Sequence, residues 1–266
     1  MRSMPADGVP GETLTFDAFV YQHLEPTAPI YAWGWCPVVG PSIDGYPCVI
    51  SHEKLQAMVP DVTVPEYGLG EQPTATLTFD AGLHAAMTAL CTAIDAGQAP
   101  GISSAVVPSC KGRLEINILM TVQWPHRTER AIKSVPLLLM ENPVRNTHPT
   151  PGNTDLLVLR AGVPEKIQLE VHESDVEAYD EQLIGESEPQ HRYEDLTLTW
   201  FVTGGSTLRE RTSFIRDVSD LATFASNIWT TPNMEDASDL SQQLIVVLRD
   251  NRGGITWWTK QVNLHE

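Results

Sequence analysis

The sequence predicts an all-β chain of two β-sandwich domains in tandem, the first with an inserted helix around residues 81–96. Three observations carry this. Apolar residues alternate with period two in several short stretches, the mark of half-buried strands. Glycine (18) and proline (20) are plentiful, as turn-rich chains require. A proline-rich, aperiodic segment at 141–152 divides the pattern, predicting domains at 1–142 and 143–266 with the boundary between Asn142 and Thr154.

In the first half, residues 13–21 follow Pro10-Gly11-Glu12 as a strand after a turn. Residues 30–36 put Tyr31, Trp33 and Trp35 on one face and end at Cys36, and residues 74–79 form a short strand. Asp80 then opens the one convincing helix. Leu83, Met87, Leu90, Cys91 and Ile94 form a single stripe at a 3.6-residue period, and Gly97 stops it. That stripe is read as packing on its own domain. Residues 113–124 alternate most cleanly, with Leu114, Ile116, Ile118, Met120, Val122 and Trp124 on one face, and residues 131–139 return across a loop at 125–129.

The second half repeats the style. Strands are predicted at 166–171, 196–202, 244–248 and 255–264, the last two flanking the loop Arg249-Asp250-Asn251-Arg252-Gly253-Gly254. Residues 217–226 suggest a helical turn, closed by Trp229-Thr230-Thr231-Pro232. Short strands with regular turn signals imply two sandwiches, immunoglobulin-like in the broad sense.

Composition narrows the function. The 266 residues include 34 acidic and 17 basic side chains, a net charge of −17, which argues against nucleic acid as partner. Mean hydropathy is −0.15, and no apolar run approaches the ~20 residues of a spanning helix. The cysteines Cys36, Cys48, Cys91 and Cys110 lack zinc spacing. They allow three pairings; the local one, Cys36–Cys48 and Cys91–Cys110, closes two short loops, the first made of turn residues in need of a staple. Reduced thiols in a cytosolic protein are the alternative. Disulfides imply an extracytoplasmic compartment. Residues 1–8 lack the apolar run of a signal peptide, so the expectation is a signal upstream of Met1.

Taken in order, several segments resemble a family of myxobacterial-type envelope proteins, usually classed as lipoproteins and built from immunoglobulin-like domains. They are Pro10-Gly11-Glu12-Thr13, Tyr31-Ala32-Trp33-Gly34-Trp35-Cys36-Pro37, Asp44-Gly45-Tyr46-Pro47-Cys48 and Asn146-Thr147-His148-Pro149-Thr150. Ser174-Asp175-Val176-Glu177-Ala178-Tyr179, the stretch 196–205 and the stretch 249–257 complete the match, nearly end to end. The resemblance implies a non-catalytic protein tethered to the envelope by a lipid anchor, here upstream of Met1. It implies a place in the periplasm or at the outer-membrane surface, with other envelope proteins or surface glycans as partners. It brings no catalytic residues.

Chemistry is sparse in the sequence. GxSxG, HExxH, P-loop and dinucleotide fingerprints are missing, Gly204-Gly205-Ser206 reads as a turn, and the eight histidines are scattered. Ten carboxylates lie between Glu170 and Asp195, opposed in that stretch by Arg192. Among them Glu173, Asp175, Glu177 and Asp180 are candidate ligands for calcium, which takes six to eight oxygens, although no spacing matches a known calcium loop. The simpler reading is a solvated acidic face. Asp250 is expected to cap its turn, with Arg249 and Arg252 paired to local acids. Trp257 and Trp258 fall on opposite sheet faces, so one is core and the other is a candidate for sugar stacking or protein contact. The leading reading is a non-catalytic binding or structural protein. A calcium- or carbohydrate-binding adhesion protein is the second, and an unrecognised hydrolase the third.

Overall fold

A computed structural model of the chain describes residues 1–21, 27–99, 113–139, 143–150, 152, 158–181, 190–237 and 241–265. The backbone divides into two compact units, Met1–Arg145 and Asn146–Glu266.

The first unit runs β1 (Arg2–Met4), β2 (Thr13–Asp17), β3 (Ile30–Cys36), α1 (His52–Met58), β4 (Gly68–Gly70), β5 (Ala75–Thr78), α2 (Ala81–Asp95), β6 (Arg113–Trp124) and β7 (Arg127–Leu138). Its strands form two sheets, ordered β1-β2-β5 and β4-β3-β6-β7. Leu14 and Phe16 from the first, Trp35, Ile116 and Ile118 from the second, and Leu83, Met87 and Leu90 of α2 share one core. Each such side chain contributes about 1.5–3 kcal/mol on burial. Asp80 caps α2 by accepting from Leu83 N at 2.8 Å. Gly82 leaves room for a neighbouring strand of chain: a Cβ there would lie 1.8 Å from the Thr63 carbonyl oxygen.

Two expectations change in this unit, and one element is new. The strand predicted at 13–21 ends at Asp17, because its partners β1 and β5 pair only with residues 13–17. The loop expected at 125–129 is a two-residue turn, and β7 starts at Arg127; residues 127–130 are polar and exposed on both faces, so no alternation marks them. Helix α1 escapes the sequence pattern altogether, since Leu55 is its one buried residue. Cys36 and Cys48 form a disulfide with Cα atoms 5.7 Å apart. The loop they close carries a single 3-10 turn, Ser42–Asp44, and is zipped by Gly40 N to Pro47 O (2.7 Å) and Val49 N to Val38 O (2.9 Å). Cys91 lies on the buried face of α2; Cys110, and with it the Cys91–Cys110 pairing, lies outside the described residues.

The second unit runs β8 (Val158–Arg160), β9 (Pro164–Gln168), β10 (Ala178–Glu181), β11 (Gln190–Tyr193), β12 (Leu196–Val202), β13 (Ser206–Thr207), β14 (Arg211–Phe214), α3 (Leu221–Phe224), β15 (Ser226–Thr230), β16 (Ser241–Asp250) and β17 (Ile255–His265). A five-stranded sheet, β14-β12-β16-β17-β8, and a three-stranded sheet, β13-β15-β9, share one core, while β10 and β11 form a separate ribbon. Leu198, Trp200, Leu244 and Val246 meet Ile167 and Trp229 in that core. β17 lies antiparallel to β16 and parallel to β8. The strand expected at 166–171 is shifted to 164–168, because Leu169 turns its N–H to Ala225 O (2.8 Å) instead. Trp229, expected to close a helical turn, sits inside β15, fully buried, with its Nε1 donating to Gly204 O at 2.9 Å. Each unit is thus a pair of mainly antiparallel sheets over its own core, and the fold is all-β and immunoglobulin-like in that sense.

Candidate functional site

The four candidate calcium ligands do not converge on one point. Glu173 and Asp175 lie in one 3-10 turn, where the Asp175 carboxylate accepts from His172 N at 2.8 Å. Asp180, on β10, pairs across the ribbon with His191 Nδ1 at 3.0 Å, both side chains more than half exposed. Glu177 turns inward, away from both. Among the described residues no group of three or more His, Cys, Asp or Glu side chains is placed to hold a metal ion. Glu186 and Glu188 lie outside the described residues.

Glu177 turns toward a buried charge network that the sequence does not advertise. Asp250 caps its hairpin, accepting from Arg252 N (2.8 Å) and Gly254 N (2.7 Å). This places the Arg252 guanidinium 3.2 Å from Glu194, 3.4 Å from Glu177 and over the Tyr179 ring, 4.7 Å from its centroid. The network also gathers the start of the unit. Thr147 donates its hydroxyl and N–H to Glu177, Asn146 Nδ2 reaches Asp250, and His148 Nδ1 accepts from Ile255 N at 3.0 Å. The Glu194 side chain is 1% exposed. Its carboxyl is pushed up to about 7, first by burial and then by the charges of Asp250 and Glu177, against the opposing pull of Arg252. A carboxyl with such a value suits proton transfer, but this one is closed to solvent and to any substrate. Its place is structural: it anchors Arg252 at the hairpin.

Arg249 behaves differently from Arg252, and here the expectation of a local acid partner is corrected. Its Nη1 donates to the Thr199 hydroxyl at 3.0 Å. Burial, and next the charge of Arg211, hold its guanidinium below the ordinary arginine value. Strand register explains the neighbourhood. Arg211 stands opposite Thr199, Thr199 opposite Val247, and Val247 opposite Trp257, forming one row across four strands. The next row holds Phe201 and Ile245. Trp200, one residue from Phe201, points into the core, so these rows form the outward face of the sheet. Phe201 is 49% exposed there.

The two tryptophans divide as adjacent strand residues must. Trp258 packs against the core, with its Nε1 buried and without a hydrogen-bond partner, while Trp257 is half-buried on the outward face. Beside the edge strand β14, a cleft of about 360 Å³ is lined by Arg209, Arg211, Ser213, Ser219, Asp220 and Thr223, among others. The Asp220 carboxylate is occupied as the cap of α3, accepting from Thr223 N at 2.7 Å. A second cleft of about 340 Å³, on the other side of Asp220, is lined in part by Glu173, Phe214, Arg216 and Leu221. Among the described residues neither is lined by a histidine.

No protein-family model matches the chain. No curated protein matches it either. Among solved structures it is similar to a chimeric titin Z1Z2-Z1Z2 tandem, at 10% identity and a TM-score of 0.28 over 98% of this chain and 95% of that one. It is also similar to the insect immune protein hemolin, at 10% identity and a TM-score of 0.25 over 97% of this chain and 51% of that one. Murine CEACAM1b follows at 9% identity and a TM-score of 0.24, over 99% of this chain and 98% of that one.

Proposed function

We propose that this chain is a non-catalytic, extracytoplasmic binding protein of the cell envelope that meets its partner on the outward face of the five-stranded sheet. The observation that carries this reading is the make-up of that face. On a sheet with one face packed on a core, the opposite face is normally polar. Here four apolar side chains share it: Phe201 is half exposed, Val247 and Trp257 are half-buried, and Ile245 is buried beneath its neighbours on the sheet. Apolar side chains grouped on an outward face and partly open to solvent are characteristic of contact sites. The Cys36–Cys48 disulfide supports an oxidising compartment, and the resemblance to envelope lipoproteins supports the periplasm or the outer-membrane surface within it.

The test is co-sedimentation of the purified protein with isolated envelope fractions. Wild type should pellet with them, and Phe201→Ser with Trp257→Ser should stay in solution; Phe201→Ser alone, at the half-exposed position, should keep the wild-type melting curve and pellet less. Equal pelleting of wild type and the double variant would refute the sheet face as the contact surface.

A further inference from the structure

Resting on that sheet-face reading, we infer that the partner is an acidic polysaccharide, whose ring faces stack on Trp257 and Phe201 while its carboxylates or sulfates pair with Arg211 and Arg249.

The charge argument comes first. The chain has twice as many acidic as basic side chains, and several of its arginines are held by carboxylates: Arg252 by Glu194 and Glu177, Arg145 by Asp7 and Glu12, Arg2 by Asp17. Arg211 and Arg249 are the contrast. Among the described residues neither pairs with a carboxylate, and both stand on the outward face around the Thr199 hydroxyl. The positive charge of Arg211 acts on Arg249 across Thr199, and an arriving anion relieves that repulsion. Arg209, lining the same cleft as Arg211, gives two of its donors to backbone carbonyls, Thr223 O and Ser226 O, and extends the positive edge.

The shape argument selects a glycan over a peptide. The row Arg211, Thr199, Val247, Trp257 crosses three strand spacings, about 14 Å, the span of a short oligosaccharide. It combines a guanidinium fork for carboxylate or sulfate, a hydroxyl and an indole. A peptide commonly docks on a sheet by adding a strand to an open edge. Strands β12, β16 and β17, which carry Thr199, Val247 and Trp257, are interior strands with both edges paired, so an added strand could reach only the Arg211 end of the row, at the edge strand β14.

The test is calorimetric titration of the full chain with hexagalacturonate, and with maltohexaose and hexaglutamate as uncharged and peptidic counterparts. Hexagalacturonate should bind, and should bind more weakly as salt is raised. Each counterpart should bind at least about tenfold more weakly, and Arg211→Gln with Arg249→Gln should lose roughly tenfold or more, the worth of a charge-assisted bond or two. Trp257→Leu should weaken binding with the arginines intact. Both arginines lie at the outward surface and neither holds a carboxylate, Arg249 being partly desolvated beside Thr199, so the charge variant keeps its fold even if the tryptophan variant does not. Hexaglutamate binding as tightly as hexagalacturonate would overturn the glycan assignment, as would tight maltohexaose binding or no binding of hexagalacturonate. If envelope co-sedimentation still depends on Phe201 and Trp257 in any of those cases, only the ligand class has failed. If it does not, the sheet-face reading fails with it.

Discussion

Arg252 and Glu194, 58 residues apart in sequence, meet at 3.2 Å with side chains 10% and 1% exposed. One guanidinium there faces two carboxylates directly and sits on the hairpin capped by a third, Asp250. The balance of charge in this pocket is therefore negative, and it governs how the second unit responds to pH and to substitution.

The first consequence is a pH profile. The folded-state value of Glu194, about 7, lies above its ordinary 4.5, so the folded protein keeps a proton that the unfolded chain releases. The contribution is fully present below the lower value and is lost as pH rises through that window. It amounts to about 3 kcal/mol at most. Urea denaturation of wild type at pH 5 and pH 8 should show the higher midpoint at pH 5, and Glu194→Gln should shrink the difference. A wild type that is more stable at pH 8 would contradict this.

Removing the arginine should cost more than removing the acid's charge. Arg252→Met leaves Glu194 buried beside two other carboxylates and should destabilise the second unit by about 3–5 kcal/mol near neutral pH. Adding Glu194→Gln should restore part of that loss. A double-mutant cycle by denaturant melts measures the coupling, and additive effects would show that the pair does not interact.

In the first unit, the stapled loop should matter through the unfolded chain. Cys36→Ala with Cys48→Ala opens a loop of sequence separation 12 and should lower stability by about 3 kcal/mol, or somewhat less. Reducing agent should lower the melting temperature of wild type, and any part of that drop absent from the double variant reports this bond.

Gly82 offers a packing test at the other end of that unit. Alanine there must displace the Thr63 backbone or the start of α2, since its Cβ would fall 1.8 Å from the Thr63 oxygen. A loss of about 1–3 kcal/mol is expected, although alanine is the better helix former. An unchanged or raised melting temperature would show that the segment around Thr63 yields freely.

What could be read from the sequence follows from how local each signal is. The strand at Arg113–Trp124 and the hairpin β16–β17 announce themselves by alternation, because one face of each is buried along most of its length. The helix α2 shows an unbroken stripe for the same reason. Helix α1 is invisible because a seven-residue helix that buries only Leu55 has no period to detect. The charge network is hidden differently. Arg192 is the cation nearest Glu194 in sequence, yet it lies exposed on β11, while Arg252 arrives from the far hairpin through strand pairing. Likewise the Arg211, Thr199, Val247, Trp257 row exists only once the register of three strand pairs is known. Alternation says which way each side chain points but not which ones become neighbours.

The pairing of Asn263–His265 with Val158–Arg160 has a bearing on biosynthesis. β17 fills the gap between β16 and β8, so until it emerges from the ribosome two sheet edges stay open and Val262 and Leu264 are missing from the core. Its contacts with β8 span about a hundred residues, the kind of long-range closure that comes late in folding. The second unit is therefore expected to remain without its complete core while its earlier strands are made, and to close when β17 pairs with both β16 and β8.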